Sequence, residues 1–139
     1  MTSGMERLVL DTNVLLSGML FPDSIPSRVL RMAQSGIVLA SDATLLELVE
    51  VMGRTRFDRY VERSHRQRLA AEFINNCEMV QVAISIRACR DSRDDKILEV
   101  AVHGRADCIV TGDMDLLTLH PFRGISILTP SGYLEQHFA

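Results

Sequence analysis

The sequence predicts an α/β fold: a three-layer α/β/α sandwich around a central parallel sheet of about five strands, in one domain covering residues 1–139. Three observations carry this expectation. Short apolar runs alternate with stretches of helical spacing five times along the chain. The first run, Leu8 to Leu10, is apolar without alternation, as in strands buried on both faces. Hydrophobic content of 47% against 24% charged, over 139 residues with no internal repeat or low-complexity segment, is enough for a substantial core.

The elements follow in order. Asp11 stands at the carboxyl edge of the first strand, where open α/β sheets collect their reactive groups. A helix over 14–20 is expected next, capped by Thr12 or Asn13 and broken by Phe21-Pro22-Asp23. Ser24 and Pro26 open a second helix over 27–34, closed by Gly36. A second strand over 37–40 leads to a helix over 42–52, with Ser41 as its cap and Gly53 as its stop. Residues 56–75 read as a charged helix or helix pair, 79–84 as a third strand, and 87–93 as a polar loop. A helix over 94–103, strands over 107–111 and 125–129, and a terminal helix from Pro130 complete the pattern.

Composition narrows the function classes. No apolar run approaches the roughly 20 residues of a membrane span, and the first residues show neither the basic nor the long apolar region of a secretory signal. Cys77, Cys89 and Cys108 share no metal-type spacing, and reduced cysteines in a cytoplasmic protein are the expectation. The net charge is −3, yet setting four candidate site acids aside leaves 14 acids against 15 bases. Six arginines crowd between Arg54 and Arg68, a segment that suits phosphate contact or, equally, a solvated helix face paired with Asp58 and Glu62.

Carboxylates recur where strands end. Asp11 follows strand one; Glu47 lies two turns into the helix after strand two; Asp94 and Asp95 open the helix after strand three; Asp113 and Asp115 follow strand four. Each has a local explanation: a cap at Asp11, macrodipole preference at Asp94 and Asp95, a solvated face shared by Glu47 and Glu50, turn chemistry at Gly112-Asp113. Local capping does not require an acid at four successive exits on one sheet edge. Converging carboxylates repel unless a proton or a cation joins them, and a hard, oxygen-seeking ion such as Mg2+ or Mn2+ suits that donor set. The scattered histidines offer no zinc spacing. Phosphodiester hydrolysis is the chemistry such a site supports.

At these residues the sequence resembles the PIN-domain family of metal-dependent ribonucleases, and within it the bacterial toxin components of toxin–antitoxin modules. The likeness runs through LVLDTNVLLSG, SDATLLELVEVMGRTRF, RDSRDDKILEVAVHGRADCIVTGDMDLL and ISILTPSGYL. It implies cleavage of single-stranded RNA by four acids that are both catalytic and metal ligands, Asp11, Glu47, Asp95 and Asp113, with Asp94 as the neighbouring alternative to Asp95. It implies support for that cluster from Asn13, Thr111 and Asp115, and RNA contacts from Arg54, Arg56 and Arg59. It further implies a protein antitoxin and a homodimer, for which Leu16, Met19, Leu20 and Phe21 offer either a surface or more core. Ser92 stands where the family often has proline. A phosphoryl-transfer domain of dehalogenase or receiver type fits less well: Asn13 replaces the second aspartate of the former, and Lys96 is the only lysine available to the latter. A catalytically silent module that binds RNA or protein is the alternative from another class.

Overall fold

The computed structural model describes residues 5–138 and shows one five-stranded sheet, all parallel, in the order β3-β2-β1-β4-β5. The central strand β1 (Arg7–Leu10) lies between β2 (Ile37–Ala40) and β4 (Cys108–Val110), with β3 (Glu78–Met79) and β5 (Ser126–Leu128) at the edges. Leu8 pairs with Val38 on one side and Cys108 on the other, and Leu10 with Val110. The sheet therefore grows from β1 first in one direction and then in the other. That reversal opens a crevice beyond the carboxyl ends of β1 and β4.

Side chains alternate across a strand, so β1 feeds two cores. Leu8 and Leu10 join the larger, with α1 (Thr12–Leu20), α2 (Ile25–Ala33), α3 (Asp42–Met52), α4 (Arg63–Asn76) and α7 (Pro130–Phe138). Val9 points to the other face and meets α5 (Asp95–His103) and α6 (Met114–Leu117). Leu8, Leu48, Leu98, Ile109 and Leu116 are fully buried, each contributing about 1.5–3 kcal/mol of apolar transfer. Sequence signals set the helix starts: Ser24 accepts from the Ser27 N–H at 3.2 Å, and Ser41 forms a capping box with Thr44. Gly36 is required by close approach, because a Cβ there would lie 2.6 Å from the Glu6 carbonyl.

Of the four residues read as either surface or core, Leu16 and Leu20 are core and Met19 packs against it, while Phe21 is exposed, its ring edge-on to Tyr60. Two other expectations change. The segment read as a charged helix or helix pair is a 3-10 turn at Thr55–Phe57 followed by α4, and its Arg66, expected among the free phosphate contacts, is fully buried. Its guanidinium donates to the carbonyls of Met52 (2.7 Å), Arg54 (3.2 Å) and Val61 and pairs with Asp58 at 2.7 Å. Arg66 thus ties the end of α3 to the start of α4 and is not a free phosphate contact.

The third strand stops after two residues. The Val80 N–H still reaches Ala40 O at 2.8 Å, but the chain then turns its amides toward α5. Ile84 N–H donates to His103 Nε2 (3.1 Å), Ile86 N–H to Glu99 Oε2 (2.9 Å), and Ala88 and Cys89 N–H to Asp95 Oδ1 (3.1 and 2.8 Å). Asp95, Glu99 and His103 are spaced by four and share one face of α5. Helix side chains have replaced a neighbouring strand as the partners of this segment. Its apolar residues Met79, Val82 and Ile84 are accordingly exposed.

Candidate metal centre

The crevice between β1 and β4 gathers most of the expected acids. Asp11 occupies the N-cap position of α1, yet its side chain makes no capping bond there, and it is 6% exposed. Thr111, fully buried at the end of β4, donates to Asp11 Oδ2 at 2.6 Å. The same Thr111 hydroxyl accepts from the Asp113 N–H at 3.0 Å, so one side chain sets both acids. Burial pushes the Asp11 carboxyl up, and the charges of Asp113 and Glu47 add to that push; Thr111 and the Thr12 N–H act in the opposite sense.

Asp94, Asp113 and Asp115 converge, each with a carboxylate oxygen within 4.8 Å of the others. Asp113 also caps α6, accepting from the Asp115 N–H at 2.7 Å, so the turn chemistry foreseen for it is present alongside its place in the cluster. Asp94 caps nothing. Its carboxyl is pushed up to about 6 by burial, then by the negative charges of Asp113 and Asp11. A carboxylate with no cap to make, lying beside Asp11, Asp113 and Asp115, is compatible with cation coordination.

Asp95 does not join them. Its Oδ1 is taken by the Ala88 and Cys89 amides, and it is 7% exposed. Burial disfavours its charge, but the Cys89 and Ala88 bonds outweigh that and hold it below the usual carboxylate range. Asp95 is the acid the sequence reading places third at the cluster; in the structure Asp94 is the one that meets Asp113 and Asp115, while Asp95 faces the 88–89 amides. Helix phase is the reason: Asp94 precedes Ile97, Leu98 and Ala101 by three, four and seven residues, the stripe that faces the sheet, whereas Asp95 precedes Glu99 and lies at that stripe's side.

Glu47 arrives from α3 but is already partnered. Thr12 Oγ1 donates to Glu47 Oε1, and Lys96 Nζ lies 2.9 Å from Oε2. Its side chain is 29% exposed, and Glu50, one turn on, pairs with Arg54 at 2.9 Å. Asn13 is exposed just beyond Thr12. Arg56 and Arg59 lie over the rings of Phe57 and Tyr60, so none of the three arginines expected to bind RNA touches an acid of the cluster. The Cys89 thiol is pushed up to about 12 by burial and by Asp95, which removes it as a nucleophile. An all-oxygen donor set at this spacing fits a hard divalent ion.

Fold and site together define a parallel α/β domain with a carboxylate cluster at the point where the strand order reverses. The PIN-domain family model matches residues 7–115, and the chain belongs to that family. An uncharacterised protein of Methanocaldococcus jannaschii is 27% identical over 141 residues, covering 94% of this chain and 90% of that one. Among solved structures, VapBC2 from Rickettsia felis bound to a promoter DNA fragment matches with a TM-score of 0.60 at 13% identity, over 88% of this chain and 98% of the other. DNA-bound VapBC from Salmonella typhimurium matches with a TM-score of 0.60 at 20% identity, over 91% and 99%. PAE2754 from Pyrobaculum aerophilum matches with a TM-score of 0.60 at 14% identity, over 95% and 88%. These likenesses concern the fold. Among the described residues no helix is long and apolar enough to cross a membrane.

Proposed function

We propose that this protein is a Mg2+- or Mn2+-dependent endoribonuclease that hydrolyses phosphodiester bonds of single-stranded RNA, acting in the cytoplasm as the toxin of a toxin–antitoxin pair. The mutual approach of Asp94, Asp113 and Asp115 to within 4.8 Å, beside Asp11, is the observation that carries the reading. Membership of the PIN-domain family supports the nuclease class, and the VapBC neighbours support an antitoxin partner.

In this reading Asp11, Asp94, Asp113 and Asp115 hold the ion. A divalent cation there supplies charge stabilisation at the phosphoryl oxygens and lowers the pKa of water. Thr111 keeps Asp11 and Asp113 in register through one hydroxyl. Glu47 orients the attacking water, its own position fixed by Thr12 and Lys96. Asn13 orders water at the rim. Asp95 acts on the site by holding the 88–89 amides and hence the start of α5.

The test is Mn2+-dependent cleavage of a labelled single-stranded RNA. Asp11→Asn, which keeps volume and removes charge, is expected to lower the rate about 100-fold or more with the circular dichroism spectrum unchanged. Full activity in that variant overturns the assignment. A wild-type protein that never cuts RNA but captures the product of an adjacent small gene favours the silent binding module.

A further inference from the structure

The acid cluster repels a polynucleotide wherever no cation covers it, so a strand needs positive charge close by. Among the described residues, no arginine between Arg54 and Arg68 contacts Asp11, Asp94, Asp113 or Asp115: Arg66 is buried, Arg54 pairs with Glu50, Arg56 and Arg59 lie over the Phe57 and Tyr60 rings, and Arg68 meets His65. A different set of cations supplies that charge. An open cleft of about 680 Å3 lies between the 85–93 segment and α5, and Arg87, Arg93 and Lys96 line it. Lys96 marks its junction with the acids, because its Nζ reaches Glu47 Oε2 at 2.9 Å while Asp94 lies two residues before it in the same turn.

The two carboxylates that also line the cleft are committed to its wall. Asp95 holds the Ala88 and Cys89 amides and Glu99 holds the Ile86 amide, so both brace the segment that presents Arg87. Arg93 pairs with Asp91 at 2.8 Å, but its side chain is 83% exposed, and a surface pair of that kind yields readily to a phosphate. No aromatic ring lines the cleft. Base stacking has no platform there, and the contacts available are to backbone phosphates.

We infer that the cleft between the 85–93 segment and α5 binds the phosphodiester backbone of a single-stranded RNA, through Arg87, Arg93 and Lys96, and leads that strand onto the acid cluster. The inference rests on the proposed nuclease reading and adds the strand's route and its contacts. It makes Lys96 a group with two partners, Glu47 in the free protein and a phosphate in the complex. Binding through this route is indifferent to base sequence.

Fluorescence anisotropy with a 5′-labelled single-stranded RNA tests the route, in Ca2+ to hold the strand without cutting it, across a salt series. Arg87→Ala/Arg93→Ala is expected to weaken binding tenfold or more and to reduce the slope of log affinity against log salt by about 1.4, two contacts at about 0.7 each. Lys96→Gln is expected to weaken binding further, with Lys96→Arg restoring it. Unchanged binding in the double variant, or a larger loss in Arg56→Ala/Arg59→Ala, overturns the route. So does a wild-type protein that binds no RNA. Mn2+-dependent cleavage, scored in parallel on the same proteins, separates the two ideas: cutting that survives with no role for Arg87 or Arg93 rejects the cleft and spares the nuclease.

Discussion

Replacing Arg66 by methionine keeps much of the side-chain volume and removes every donor. The guanidinium is fully buried and serves three carbonyls, of Met52, Arg54 and Val61, and the Asp58 carboxylate. Asp58 is half exposed and regains water when released. The Met52 carbonyl is covered and regains it poorly, while those of Arg54 and Val61 are partly covered. Hydrogen bonds to a charged donor contribute about 1.5–3 kcal/mol each, and breaking a buried ionic network by deleting one partner costs about 3–5 kcal/mol. A loss of about 3–5 kcal/mol follows, less whatever methionine packing returns. At about 3–4 °C per kcal/mol for a chain of this size, the melting temperature should fall by roughly 9–20 °C. Differential scanning calorimetry reads this, with single-stranded RNA affinity at a temperature where the variant is folded as the second measurement. A fall of only a degree or two, or RNA binding lost while stability is retained, would refute the structural role of Arg66.

Three further outcomes are expected. Asp94→Asn should abolish Mn2+-dependent cleavage with the fold intact, whereas Asp95→Asn should cost stability at the 88–89 turn and reduce activity far less; steady-state rates and melting curves separate the two, and the reverse order would restore Asp95 as the metal-facing acid. With metal chelated, Asp94 titrates near 6 in the folded protein against 3.8 as its unperturbed value, so between about pH 6 and 4 the folded state binds a proton that the unfolded state has released. That group's contribution to stability therefore rises as pH falls from 7 to 5, and comparing the pH dependence of melting in wild type and Asp94→Asn isolates it; identical profiles would contradict the shift. Gly36→Ala should destabilise by about 1–3 kcal/mol in urea unfolding, since its methyl would meet the Glu6 carbonyl at 2.6 Å, and a neutral result would show that the backbone there shifts freely.

Much of the architecture was legible in the chain because its signals are local. An unalternating LVL followed by Asp-Thr-Asn announced a doubly buried strand and its exit, and Ser41 with Gly53 bracketed α3 as Asp42–Met52. The third strand misled because 79–84 carries apolar residues at strand spacing, while the amides of Ile84 to Cys89 are claimed by Asp95, Glu99 and His103, a pattern visible only once α5 and the segment lie side by side. Arg66 was partly hidden for a related reason: pairing with Asp58 could be read from the segment, but its bonds to the carbonyls of Met52, Arg54 and Val61 involve backbone that no side-chain pattern reveals. Asp94 and Asp95 are adjacent, so they cannot both face the same way; the positions of Ile97, Leu98 and Ala101 set the helix phase that turns Asp94 toward Asp113 and Asp115.

Anomalous diffraction from Mn2+-soaked crystals asks most directly whether one cation sits where β1 and β4 end. The expected result is a peak about 2.1 Å from carboxylate oxygens of Asp94 and Asp113, with Asp11 alongside and Asp95 still bound to the 88–89 amides. A peak coordinated by Asp95, or a crevice that stays empty at millimolar Mn2+ while those acids remain ionised, would contradict it.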